Sequence, residues 1–207
     1  MVAVPAFWSV SPAAFCAEQD DIVYQKLVQR VEGRDFTVDF RALRLACIRS
    51  SQCEPRATKT DLAAMNRAAL DADFQKTIEV AERLIRQGFV NAEAHATCAA
   101  AYLAIHDPAE SKFHMDVATA LIRSILASGD GKTKEAAYEV ISDREEYFAL
   151  TALGLPYLSS GDSVRTVEGS GHSCDRWEIK DPRTEQSVVL FFNVDAFSPI
   201  RSRASDK

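Results

Sequence analysis

The hydrophobic residues of this 207-residue chain keep one period for most of its length and then change to another. From Ile22 to about Leu153 they recur every three or four positions, the spacing of an amphipathic helix. Beyond that point SVRTVEG, SCDRWEIKD and SVVLFFNVD are strand-like, bounded by Gly, Pro and polar turns. One late switch from helix period to strand period excludes the alternating pattern of a parallel α/β sheet. It predicts an α+β fold, mainly α, closed by a small C-terminal antiparallel β-sheet.

Within the helical part, Ile22, Val23, Leu27 and Val31 share a face, and Gly33 stops the segment. Asp39 is placed to cap FRALRLACIRSS, with Phe40, Leu43 and Cys47 inward. Four further helices follow: Thr60 is expected to cap TDLAAMNRAALD and Asn91 to cap AEAHATCAAAYLAI, DFQKTIEVAERLIRQG lies between them, and Pro108 opens the last in its first turn. Gly88 is expected to close its helix in a left-handed turn, and Gly129 to end the last one. Asp73 and Asp107 are 34 residues apart, and at that shift Ala64 falls on Cys98 and Ala69 on Leu103. A helix pair with small residues at the crossing and a period near 34 predicts tetratricopeptide-like hairpins over 60–128. After Gly131, KEAAYEVIS and REEYFALTALGL read as two short helices capped by Thr133 and Asp143. The last two strands should form a hairpin through DPRTEQ. Asp175, Trp177 and Ile179 then face one way, and Val188, Leu190 and Phe192 share a face of the next strand.

Organisation follows from composition. Residues 1–17 carry no charged side chain and resemble the end of a secretory signal peptide without its basic region, or a disordered leader. Residues 18–195 form one domain, a helical body over 18–155 and a sheet over 156–195, and 196–207 form a polar tail. An exported, periplasmic or envelope-associated location is expected, with a cytoplasmic one as the alternative. A net charge of −6 excludes a broad nucleic-acid footprint, and no apolar run after the leader is long enough to span a membrane. There are five cysteines and no CxxC, so zinc-ribbon and thioredoxin-like sites have no support. Cys47 and Cys98, in apolar helical contexts, read as small buried hydrophobes, although an exported chain would allow one oxidised pair.

Two motifs attract attention and lose it. SGDGKT resembles the end of a phosphate loop, but the required first glycine is Leu126 and a helix, not a strand, precedes it. His172 and Cys174 lie two residues apart on one strand, which does not align a ring nitrogen with a sulfur for thiolate activation. His95 and His114 fall on consecutive helices, and counted from the connecting turn their axial offset is about one helical turn, so they can meet across an antiparallel pair. With Glu93 or Asp116 they are the candidate metal ligands; packing imidazoles are the plainer reading. Glu145 and Glu146 pair two carboxyls beside Tyr147, but neighbours on a helix diverge by about 100°, and one is usually solvated.

With these segments in view, the chain resembles a bacterial family known as domain of unknown function 4919. The resemblance runs through DFRALRLACIRS, the NAEAH turn, SGDGKTKEAAYEVISDREEY and GHSCDRWEIKDPRTEQSVVLFFNVD, most of Val38 to Asp195. It implies a small exported or envelope-associated protein with a helical body and a β C-terminus, and no reaction. His95, His114, Gly129, Gly131, Glu145, Glu146, Tyr147, His172, Asp175 and Asn193 match the family pattern, whereas Cys53 and Cys174 stand where it tends to have Tyr. The leading expectation is a non-enzymatic interaction or scaffold module whose partner is another protein, with no cofactor. The rivals are a hydrolase or metal-dependent enzyme built on His95, His114, Glu145, Glu146, His172 and Asp175, and a small-molecule binder with its pocket between sheet and helices. Convergence of those six side chains on one cleft separates the readings.

Overall fold

The computed structural model describes residues 12–54, 59–155, 164–168 and 172–197. Six helices come first: α1 (Pro12–Glu32), α2 (Phe40–Arg49), α3 (Lys59–Leu70), α4 (Phe74–Gln87), α5 (Ala92–Ala104) and α6 (Pro108–Leu126). Short strand β1 (Tyr138–Glu139) and helix α7 (Asp143–Ala152) follow, then strands β2 (Val164–Glu168), β3 (His172–Lys180) and β4 (Ser187–Asn193). α1 begins inside the segment read as a leader; residues 1–11 lie outside the described residues.

Capping chemistry sets the helix starts. Asp39 accepts from the Arg41 and Ala42 amides, Asp73 from Lys76, Asn91 from Ala94 and Asp107 from Glu110. Three expected boundaries shift. Asp143, expected as a cap, is the first residue of α7, and Ser142 takes the cap position without a side-chain bond. α3 starts at Lys59, which puts Thr60 inside its first turn, and Gly88 ends α4 in an extended conformation, φ −152°, not a left-handed one.

The 34-residue shift is visible in the backbone. Ala72 and His106, 34 residues apart, adopt left-handed φ values of 56° and 64°. The same bonds surround them: Ala72 N–H to Ala69 O and Asp73 N–H to Ala68 O in one turn, His106 N–H to Leu103 O and Asp107 N–H to Tyr102 O in the other. These are Schellman-type ends, which satisfy carbonyls the helix leaves unpaired. α3 packs on α4, α4 on α5 and α5 on α6, but the first hairpin joins at the far end, α2 against α6. A solenoid would stack hairpins in sequence order. Here α1 instead comes back to α4, where the Tyr24 hydroxyl accepts the Phe89 amide at 3.1 Å.

The sheet order is β1-β4-β3-β2. β2, β3 and β4 are antiparallel, with Asp175 opposite Phe192, Trp177 opposite Leu190 and Ile179 opposite Val188, the facing expected from the sequence. β1 runs parallel to β4, so the sheet is mixed rather than antiparallel. That strand falls within KEAAYEVIS, expected as a helix. The preceding glycine loop decides its fate: the Asp130 and Gly131 amides both donate to Ala136 O, and Gly131 O accepts from Phe191 N on β4. The loop folds flat against the sheet edge and leads the chain into β1. A Cβ on Gly129 would lie 2.2 Å from Ala136 O, and one on Gly131, at φ +68°, 2.4 Å from the Tyr138 ring. Asp130 and Gly131 thus turn their amides inward and Lys132 gives its own to the Asp130 carboxylate, so the loop forms no phosphate cradle.

Two cores result. One lies among the helices around Leu43, Met65, Leu84, Val117 and Leu121. The other, around Ile125, Tyr138, Leu150, Trp177, Leu190 and Phe192, joins α6 and α7 to the sheet. Val189 and Phe191, on the opposite face of β4, are only half-buried. Phe197, assigned by the sequence to the polar tail, is buried in the second core. Gly129→Ala is expected to destabilise the fold by about 1–3 kcal/mol or more, since its new methyl group meets backbone rather than a movable side chain. Denaturant unfolding with unchanged slope measures this; a variant of wild-type stability would show that the loop yields freely.

Candidate functional site

The five polar candidates whose side chains are described, His95, His114, Glu145, Glu146 and Asp175, do not share a cleft. They separate into two clusters on opposite sides of α7 and a third between α5 and α6.

Glu145 and Glu146, adjacent in the first turn of α7, are both buried, against the expectation that one is solvated. Their helical divergence carries them to different cores. Glu145 meets Arg44 of α2 in a two-pronged pair, Nε to Oε1 at 2.8 Å and a terminal nitrogen to Oε2 at 2.7 Å. The Arg44 guanidinium also donates to Glu139 O at 2.6 Å and Ser124 Oγ at 3.2 Å, and Glu145 Oε2 accepts the Ile141 amide at 2.9 Å. Both side chains are almost fully enclosed, 1% and 7% exposed, so each charge depends on the other. Sequence reading missed Arg44, although a signal existed: it lies on the same helix face as Phe40, Leu43 and Cys47, a charge within an apolar stripe.

Glu146 turns to the sheet. Its Oε2 accepts the Trp177 indole N–H at 2.7 Å, and the Asp175 carboxyl on the same strand face is a further hydrogen-bonding partner. Burial foremost, then the charge of Asp175, raises Glu146 well above its ordinary 4.5, with Asp143 adding to the effect. Tyr147 meets the Trp177 ring edge-on, 5.4 Å between centroids.

His95 and His114 do meet, Nδ1 to Nδ1 at 2.9 Å. His95 Nε2 faces the Phe89 carbonyl at 2.9 Å, which fixes it as the donor. Its Nδ1 is then the acceptor, and His114 Nδ1 carries the shared proton. Burial, and next the neighbouring ring, hold His95 down to about 3, so it stays neutral. Burial also lowers His114. Tyr102 stacks on the His114 ring, and its hydroxyl bonds Glu82. Of the carboxylates considered as co-ligands, Glu93 pairs with Arg144 and Asp116 with Lys112. Among the described residues no three His, Cys, Asp or Glu side chains are grouped to hold a metal ion.

His172 lies on β3 opposite Glu168, and its side chain falls outside the described residues. The Cys174 thiol is buried, and desolvation raises it; Cys98 is pushed up to about 12 by burial and the charges of Glu82 and Glu110. Neither is an activated thiolate. Cys47 is not a plain hydrophobe: it forms a disulfide with Cys53, joining the end of α2 to the loop beyond it. A groove of about 300 Å³ lies between α1 and α4, floored by Val28, Ile85 and Phe89, and another of about 440 Å³ lies between Phe36 and α6. The space where α5 and α7 meet, beside Ser142 and Glu145, is only about 20 Å³, room for one water.

A family model described as a domain of unknown function, DUF4919, matches residues 16–203. The chain belongs to the DUF4919 family. No curated protein and no solved structure matches it. Among the described residues of this DUF4919 chain, no helix is long and apolar enough to cross a membrane.

The Glu146 environment has a measurable consequence. Folded Glu146 holds its proton to higher pH than the unfolded chain does, so unfolding releases it. Its contribution to stability is intact below about 4.5 and is lost as pH rises through the raised folded value. Glu146→Gln mimics the protonated carboxyl and keeps an acceptor for Trp177. Unfolding free energy measured from pH 4 to 8 should fall less steeply in this variant than in the wild type; parallel profiles would remove the proton from Glu146.

Proposed function

We propose that this DUF4919 chain is a non-enzymatic interaction or scaffold module of the bacterial envelope, exported, and engaging another protein through its tetratricopeptide-like helical body. The observation that carries this reading is the dispersal of the candidate catalytic groups. Glu145 neutralises Arg44, Glu146 bonds Trp177, and His95 bonds Phe89 O and His114, all with less than a tenth of their surface exposed. Groups buried in this way hold the fold together and offer a substrate no approach, whereas a catalytic acid or base must reach the proton it moves. The Cys47–Cys53 disulfide supports an oxidising compartment. The recurrent turns at Ala72 and His106 support hairpins of repeated design, which present extended surfaces to partners.

Glu146→Gln and His114→Gln test the reading. Both are expected to restore function to a deletion strain in proportion to their folded fraction, and to give wild-type yields of the same envelope-protein adduct on covalent cross-linking of intact cells. A fully folded variant that keeps the adduct but fails to complement would overturn the non-enzymatic reading.

A further inference from the structure

α5 and α7 meet by their N-termini. The cavity of about 20 Å³ between them is walled by Ala92 and Glu93 from the start of α5 and by Ser142, Arg144 and Glu145 from the start of α7. The first amides of a helix have no partner within it, and each N-terminus carries partial positive charge. Ser142, at the cap position of α7, is 2% exposed, yet its hydroxyl caps no amide and bonds no other described residue. The outer end of the Arg144 guanidinium donates to Glu93, but its Nε–H is buried and has no partner among the described residues. The carboxylates in the wall are already engaged. Glu145 takes Arg44 on both oxygens and the Ile141 amide on one, and Glu93 takes Arg144. These two ion pairs cancel, so the helix ends set the sign of the cavity. Its unmet groups are donors, and a buried donor is costly to leave unbonded. A water accepts two hydrogen bonds and has two protons to place, whereas an anion accepts from every side. The volume holds one sphere of about the size of a water, which excludes sulfate, phosphate and carboxylates and admits a monatomic anion.

We propose that this cavity is a halide site, holding one chloride ion between the starts of α5 and α7. The ion accepts from the Ser142 hydroxyl, the Arg144 Nε–H and first-turn amides. It thereby ties α7 to α5, as Glu145 ties α7 to α2. The site stands apart from the interaction reading above and does not depend on it.

The test melts the full chain in sodium chloride mixed with sodium gluconate at constant ionic strength, gluconate being too large to enter. The melting temperature is expected to rise with chloride along a saturating curve, as it does when a ligand binds only the folded chain. Crystals grown in bromide should show an anomalous-scattering peak between Ser142 and Arg144. Ser142→Ala removes the hydroxyl, and Arg144→Lys keeps a charge for Glu93 while removing the Nε–H. Each should weaken the apparent chloride affinity by about tenfold or more, the effect of losing one hydrogen bond to a charged group. Lys112→Gln, on the exposed surface of α6, should leave it unchanged. Should a variant fold too poorly to titrate, broadening of the chloride NMR line by the wild-type chain, reversed by bromide, reports the site without any substitution. A melting temperature that ignores the replacement of gluconate by chloride overturns the site, as does a water in the cavity with bromide bound elsewhere. Equal chloride dependence in the wild type and both variants also overturns it. A bromide peak in the crystal with no chloride dependence in solution marks an adventitious ion only, and overturns it too.

Discussion

Between Glu139 and Phe148 the chain serves two cores by turns, and the buried Arg44–Glu145 pair is the bond on which this depends. Val140 packs with the sheet and Ile141 with the helices. Glu145 then returns to Arg44, Glu146 goes to Trp177, Tyr147 packs with the sheet and Phe148 with the helices. A buried ion pair is a poor source of net stability, because desolvating two charges offsets most of their attraction. Losing one member is another matter, costing about 3–5 kcal/mol through the charge left behind. The pair therefore fixes arrangement more than it adds stability. Arg44 also holds Glu139 O, and Arg41 holds the Glu139 carboxylate, so α2 grips β1 as well as α7.

The His95–His114 contact does for α5 and α6 what Arg44 does for α2 and α7. Two neutral rings pass one hydrogen bond to the next, ending at Phe89 O, and bring polar atoms into an apolar interface without charge. Phe89 is also where the groove begins. Its carbonyl orients the histidine pair, its amide bonds Tyr24 and its ring floors the groove. A change in histidine packing thus has a direct mechanical route to the α1–α4 wall.

Local signals carried most of the fold. Caps at Asp39 and Asn91 are side-chain bonds to amides two or three residues on, so sequence suffices to place them, and Asp73 and Asp107, read only as loop residues, cap in the same way. The β3–β4 hairpin and its facing residues followed from alternation alone. KEAAYEVIS was misread because its local propensity favours a helix, while its fate is decided by Gly131 docking on Phe191, about sixty residues further along the chain. The meeting of His95 and His114 was legible because their distances from the connecting turn differ by only about one helical turn. Arg44 with Glu145 was not, since a separation of 101 residues leaves no local pattern. The Cys47–Cys53 bridge was hidden by an apolar helix face that suits a buried thiol equally well.

Through α7 the helical body and the sheet become one cooperative unit. Hydrogen exchange on Trp177→Ala tests it most directly. This change removes the indole that Glu146 holds and a ring that is 2% exposed in the second core. Loss of a buried aromatic costs about 3–5 kcal/mol, a large part of the roughly 5–15 kcal/mol that hold a domain together. In one cooperative unit, exchange becomes faster in α5 and α6 as well as in β3 and β4. Protection that falls only within the sheet, with α5 and α6 unchanged, would contradict it and separate the two cores.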